Sequence, residues 1–184
     1  MTAPSDLKLP KPLVFIGMMG AGKTAIGRRV AARLDIPFID ADSEIEAAAG
    51  CSISDIFELH GETAFRNGER RVIGRLLEGP IQVLATGGGA FIDRETREVI
   101  KKRGISVWLR ADLETLWRRV SRRDHRPLLK TENPRETLSA LVEQRYPVYA
   151  GADITVDSSD GPRDEMVERV IEAVAGYLPA SEET

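Results

Sequence analysis

Gly17 to Thr24 reads GMMGAGKT, a full match to G-x-x-x-x-G-K-[ST]. Glycines at those positions let backbone N–H groups close around phosphate oxygens, and a helix starting there adds the partial positive charge of its N-terminus. The N–H groups of Gly20, Ala21, Gly22, Lys23, Thr24 and Ala25 are candidate phosphate donors. The Lys23 ammonium is placed to reach the β- and γ-phosphates, and the Thr24 hydroxyl to ligate Mg²⁺. The context fits, because the apolar run LVFI (Leu13 to Ile16) precedes the motif and Ile26, Val30 and Leu34 follow at helical spacing. This chemistry is the binding of a nucleoside triphosphate.

Two further stretches could act on what the triphosphate delivers. PFIDAD, Pro37 to Asp42, puts Asp40 and Asp42 one residue apart at the end of an apolar run. Read as a strand, the run turns both carboxylates to one side, where they repel unless a cation or a hydrogen-bonding ligand separates them. Gln82 to Ala85 (QVLA) runs into Thr86-Gly87-Gly88-Gly89. A GTPase or ATPase switch needs an acid at the end of such a strand, and this one has none. Three glycines there leave room for an acceptor and expose N–H donors to it, at the sheet edge where open parallel sheets bind ligands. A small-molecule kinase, a nucleotide kinase and a hydrolysing switch or motor are the three classes that the P-loop allows, and the glycines favour a kinase.

These motifs need a scaffold, and the chain supplies one. Strand-length apolar runs (13–16, 37–39, 82–85, 106–109, 154–156) alternate with helical patterns at 43–49, 53–59, 62–77, 94–102, 113–119, 135–146 and 163–177. Ser43 with Glu46 forms a capping-box pattern, Gly50 a stop, and Pro147 is expected to end the 135–146 helix. Alternation of this kind predicts an α/β three-layer sandwich, a parallel sheet of about five strands between helices. One domain is expected over 1–184, with mobile ends at 1–12 and 179–184 and a mobile lid at 118–130. The lid expectation rests on RRVSRRDHR, Arg118 to Arg126, five arginines in nine residues without interleaved aromatics. The net charge of −3 and pI of about 5.6 disfavour nucleic acid and anionic membranes as partners. Cys51 is the only cysteine, which excludes an internal disulfide and suits a reducing cytoplasm. MTAPSDLKLPKP has three prolines and no signal-peptide core, and no apolar run approaches the roughly 20 residues that span a bilayer.

GMMGAGKT, FIDAD, GETAFRNGE (Gly61 to Glu69), TGGGA, HRPLL (His125 to Leu129) and RYPVY (Arg145 to Tyr149) together resemble the shikimate kinase family, in its order and near its spacing. That resemblance implies a P-loop kinase fold and transfer of the ATP γ-phosphate to the 3-hydroxyl of shikimate, in aromatic amino-acid synthesis. It implies that Asp42, Arg66, Gly88 and Arg145 hold shikimate, with Gly87 and Gly89 beside them. Asp40 matches the carboxylate near Mg²⁺, Arg126 the lid arginine that meets the phosphates, and Arg119 an arginine that stacks on adenine. Lys23, Asp42 and Arg126 are the expected catalytic groups. Residues 156–160 lack the basic residue that some members place beside adenine.

The residues are chemically apt for these roles. A planar guanidinium pairs bidentately with a carboxylate, which suits Arg66 and Arg145 to an acidic acceptor. A carboxylate such as Asp42 can orient a hydroxyl and take its proton. A monomer acting in the cytoplasm is expected. A kinase for another small acid, such as gluconate, and a non-catalytic nucleotide-binding regulator are the competing readings. The regulator gives no reason for an acceptor site.

Overall fold

The computed structural model describes residues 7–122 and 131–179. Five parallel strands, β1 (Leu13–Ile16), β2 (Phe38–Asp40), β3 (Val83–Ala85), β4 (Ile105–Arg110) and β5 (Ile154–Asp157), form one sheet in the order β2-β3-β1-β4-β5. The helices are α1 (Lys23–Leu34), α2 (Ala41–Ala49), α3 (Ile53–Leu77), α4 (Arg94–Arg103), α5 (Leu113–Val120), α6 (Pro134–Tyr149) and α7 (Arg163–Tyr177). β1 and β3 are buried along their whole length, as expected for inner strands covered on both faces.

The strand order decides where a ligand can bind. The crossover from β1 to β2 runs one way along the sheet, and those from β3 to β4 and β4 to β5 run the other way. Right-handed crossovers therefore put α1 on one face and α4 on the opposite one. α7 joins α1 and covers β5, while α3 packs on α4. Connections part on either side of β1, so a crevice opens beyond the carboxyl ends of β1 and β3. The P-loop leaves β1 there, and the glycine triplet leaves the neighbouring β3.

Three local expectations are corrected. β2 ends at Asp40 and α2 begins at Ala41, so Asp40 and Asp42 do not share one side of a strand. The cause is capping: Asp40 Oδ1 accepts from the Ser43 N–H at 3.1 Å, which starts a helix where the strand would have continued. Ser43 is consequently inside the helix rather than its cap, and Glu46 accepts from the Ile53 N–H at 2.9 Å instead of closing a capping box. Pro147 does not end α6, which continues to Tyr149. The Tyr146 and Tyr149 rings pack on Trp108 with centroids 5.0 and 5.6 Å away, and this anchoring outweighs the hydrogen bond that proline cannot make. The two helices expected at 53–59 and 62–77 are present as α3, broken at Gly61, whose φ of 80° and ψ of 175° are not helical.

Most of the core is one cluster around the sheet, and Leu7 and Leu9 pack against it. A second, smaller cluster, Ile45, Ile56, Phe65 and Val72, joins α2 to α3, with Cys51 packed at its side. These two helices thus carry their own apolar contact beyond the edge strand β2. Among the described residues no helix is long and apolar enough to cross a membrane.

One tight contact offers a test of the sheet's packing. Gly104 joins α4 to β4, and a Cβ there would lie 2.7 Å from Val14 Cγ2, with the Ile100 and Pro12 carbonyls at 3.3 and 3.4 Å. Val14 is fully buried in the central strand and has nowhere to retreat. Gly104→Ala is expected to cost about 1–3 kcal/mol by overpacking. In urea titration this reads as a lower midpoint at unchanged slope.

Candidate active site

The P-loop's conformation follows from its glycines and its neighbours. Gly20 and Gly22 adopt φ of 82° and 94°, a region open to glycine at little cost, and Gly22 is the N-cap of α1. A Cβ at Gly20 would lie 2.8 Å from Val120 Cγ2, so the end of α5 rests directly on the loop. Lys23 Nζ donates to the Gly17 carbonyl at 2.6 Å and the Met18 carbonyl at 3.1 Å, which folds its chain back along the loop. Arg119 Nη1 donates to the Gly20 carbonyl at 3.0 Å, and its Nη2 donates to the Ser159 carbonyl at 3.0 Å. Ser158 Oγ donates to the Ala21 carbonyl at 3.2 Å. Arg119 and Ser158 therefore tie the loop after β5 to the P-loop.

The carboxylates sit beside this loop with different surroundings. Asp40 uses Oδ1 on its helix cap, and its Oδ2 stands 3.5 Å from the Thr24 hydroxyl. That separation is too long for a strong hydrogen bond and leaves two hard oxygen donors side by side. Asp42 lies in the first turn of α2, half-buried. Burial pushes its carboxyl above the usual carboxylate range and the Asp40 charge adds to this, with the Lys23 ammonium opposing.

The glycine triplet carries the central geometric fact. A Cβ at Gly87 would lie 3.0 Å from Asp42 Oδ1, and one at Gly88 would lie 2.8 Å from Arg145 Nη1. At Gly89 it would run into the Arg66 guanidinium, 2.8 Å from Cζ. Three successive residues thus each carry one charged side chain on their bare Cα, delivered by α2, α6 and α3 respectively. The mouth of the cleft is a cavity of about 680 Å³ lined by Arg66, Arg70, Gly89, Asp93 and Arg145 among others.

Side chains that were not singled out in the sequence hold these groups in place. Glu69, 1% exposed, accepts from Arg66 Nη1 at 2.8 Å. Burial raises its carboxyl above the ordinary value, with the Arg66 charge opposing. Its spacing of three from Arg66 inside GETAFRNGE was a legible helical pairing signal. Tyr149 is fully buried and its phenol, pushed up to about 12 by burial, stays protonated and donates to the Gly88 carbonyl. It lies one turn beyond Arg145 on α6, which the helix's passage through Pro147 makes possible. Ser158 had no signal of its own.

Gly20, Ala21, Gly22, Lys23, Thr24 and Ala25 are together at the start of α1, and Asp40, Asp42, Arg66, Gly87, Gly88, Gly89 and Arg145 converge across from them. Arg119 lies at the base of the P-loop. Arg126 and residues 123–130 of the expected lid lie outside the described residues.

A family model described as shikimate kinase matches residues 19–175. A shikimate kinase of Paramagnetospirillum magneticum is 58% identical over 171 residues, covering 93% of this chain and 88% of that relative. One from Rhodopseudomonas palustris is 54% identical over 171 residues, with 93% and 84% covered. Among solved structures, a shikimate kinase from Acinetobacter baumannii in complex with shikimate superposes with a TM-score of 0.85 at 38% identity, covering 90% of this chain and 93% of that one. With nearly its whole length matched in sequence and in fold, the chain belongs to the shikimate kinase family.

Proposed function

We propose that the chain transfers the γ-phosphate of ATP to the 3-hydroxyl of shikimate, giving shikimate 3-phosphate and ADP. The observation that carries this reading is the convergence of Asp42, Arg145 and Arg66 on Gly87, Gly88 and Gly89, one strand away from a complete P-loop. Two guanidiniums and one carboxylate at the same point suit an acceptor that has both a carboxylate and hydroxyls. The family membership supports the same reading.

In this mechanism the P-loop N–H groups from Gly20 to Ala25 and the N-terminus of α1 hold the phosphates. Lys23, released from the Gly17 and Met18 carbonyls, neutralises charge on the transferring group, and Arg126 does so from the lid. Arg119 borders the adenine. Arg66 and Arg145 grip the acceptor's carboxylate, which turns its 3-hydroxyl toward Asp42. The hydroxyl oxygen forms the new bond to phosphorus as the bond to the β-phosphate oxygen breaks, and the hydroxyl proton passes to Asp42. A loose transition state asks little of a base, so Asp42 acts mainly by orientation. The Thr24 hydroxyl and Asp40 Oδ2 fit Mg²⁺, which prefers oxygen donors and keeps much of its shell for phosphate and water. When bound, the ion supplies charge neutralisation and alignment of the phosphates. We assign the chain to the cytoplasm as a monomer without nucleic-acid or membrane partners, a reading supported by its acidic balance and single cysteine.

A coupled assay for ADP with shikimate, gluconate and nucleoside monophosphates tests the function directly. Turnover with shikimate alone is expected, and turnover with gluconate or none at all refutes the proposal.

Asparagine at the two carboxylates separates their roles. Asn caps helices as well as Asp does, so Asp40→Asn keeps α2 in place but weakens Mg²⁺. The expected result is a higher Mg²⁺ requirement at nearly unchanged shikimate affinity. Loss of the Asp40 charge also relieves Asp42, so the acid limb of the pH–rate profile moves to lower pH. Asp42→Asn is expected to weaken shikimate binding and to lower turnover toward the lower end of the roughly 10²–10⁴-fold range of a general base. Because the folded protein holds the Asp42 proton more tightly than the unfolded chain, the stability this group contributes is present in acid and lost as pH rises through its raised pKa. Asp42→Asn should therefore have the higher Tm at neutral pH, with the gain vanishing at low pH.

Arg66→Lys and Arg145→Lys retain charge but lose the two-pronged geometry. Each is expected to raise the KM for shikimate while leaving that for ATP unchanged, and parallel losses for both substrates would remove the clamp assignment.

A further inference from the structure

We infer that Arg70 is a positioning residue for the acceptor site: by pairing with Asp93 and Glu95 it locks α3 to the turn that follows the glycine triplet and so keeps the Arg66 guanidinium over Gly89. The inference rests on the acceptor reading above and adds to it a group that does not itself touch the acceptor.

The argument starts from the helix. Arg66 and Arg70 are four residues apart, so they lie one above the other on the same face of α3. Two guanidiniums so placed repel unless one is neutralised. Arg70 uses both of its terminal nitrogens here. Its Nη2 donates to Asn67 Oδ1 at 2.6 Å, and its Nη1 pairs with Glu95 and stands 3.8 Å from Asp93 Oδ2. The side chain is 26% exposed, so the group is partly withdrawn from water, and it lines the same cavity as Arg66 and Arg145. Arg66 is itself paired with Glu69 at 2.8 Å and stands 3.8 Å from Glu62, so both guanidiniums on this face are held by carboxylates.

The far end of these pairs is rigid. Asp93 caps α4, accepting from the Thr96 N–H at 3.0 Å and the Thr96 hydroxyl at 2.8 Å. The N–H groups of Ile92 and Asp93 both donate to the Gly89 carbonyl, at 3.2 and 3.3 Å. Arg97 Nη1 donates to the Phe91 and Ile92 carbonyls and holds the turn from the other side. Gly89 and Asp93 therefore move as one piece, and fixing Arg70 to Asp93 fixes α3 to Gly89. Glu69 supports Arg66 from beneath, while Arg70 sets the distance between its helix and the glycine it covers. An isolated surface ion pair stabilises little, but a planar fork hydrogen-bonded to Asn67 and Glu95, with the Asp93 charge 3.8 Å away, forms a small network in a defined geometry.

The test uses Arg70→Met, which keeps length and removes charge, together with Glu95→Ala and the exchange Arg70→Glu with Glu95→Arg. KM for shikimate, KM for ATP, kcat and Tm are measured, with shikimate binding in the absence of nucleotide followed by calorimetry. Loss of one or two partly exposed pairs predicts a rise of about three- to tenfold in the KM and Kd for shikimate with Arg70→Met. The KM for ATP and kcat stay at the wild-type values. Glu95→Ala shows a smaller rise because Asp93 remains, and both Arg70→Lys and the charge exchange recover part of the loss. Wild-type shikimate affinity in Arg70→Met overturns the inference, as do equal losses for ATP and shikimate or a charge exchange no better than Arg70→Glu alone. Should Arg70→Met fail to fold, Glu95→Ala decides, and unchanged shikimate affinity there overturns it. A wild-type protein that neither binds nor phosphorylates shikimate defeats the acceptor reading and this inference with it. A wild type active on shikimate, beside an equally active Arg70→Met, defeats only the inference.

Discussion

Three bare α-carbons in a row let charged groups from three separate helices meet at one point. Asp42, Arg145 and Arg66 stand over Gly87, Gly88 and Gly89, where a single methyl group would crowd Asp42 and collide with the two guanidiniums. α2 and α3 are consecutive, whereas α6 comes from far along the chain, and the glycines after β3 lie against a side chain from each. The sheet order makes the end of β3 a floor of the cleft, next to β1 and its P-loop. A Cβ at any of the three would displace the charged end of the side chain that rests on it, so the bare α-carbons are what allow the three groups to come this close.

Charge concentrated in this way must be balanced. Arg66 is countered by Glu69, a carboxylate almost without solvent, and breaking such a pair from either side strands a charge. Asp42 has less compensation. Burial and the Asp40 charge raise its carboxyl, with the Lys23 and Arg66 charges opposing. Asp40 serves two neighbours with its two oxygens. One starts the helix that carries Asp42, and the other faces Thr24 at the phosphate end. The P-loop and the helix that carries Asp42 are thereby joined through a single carboxylate.

The helical and strand periods, the P-loop and the glycine triplet were legible in the chain because each depends on local geometry. A strand must be apolar to be buried on both faces, and a phosphate cradle needs glycine where φ is positive. The misread boundaries were places where two local preferences competed. DAD continues a strand or caps a helix, and alternation alone does not decide between them. Pro147 breaks a helix in isolation but not in one held by Tyr146 and Tyr149 on Trp108. Arg66 and Arg145 were legible through the family's motifs, whereas one arginine among many on a helix carries no mark of its own.

The sequence by itself determined the parallel α/β architecture, the triphosphate cradle and the family, since those follow from periodicity, spacing and the order of motifs. Tertiary structure alone decided which residues support the site. Tyr149 on the Gly88 carbonyl, Ser158 on the P-loop and Arg70 across to Asp93 are partners through space. Their roles arise from helix packing angles and from the strand order, which bring residues up to 137 positions apart into hydrogen-bonding distance. Nothing in the local pattern records such distances, because the energy that sets them is the burial of the whole core.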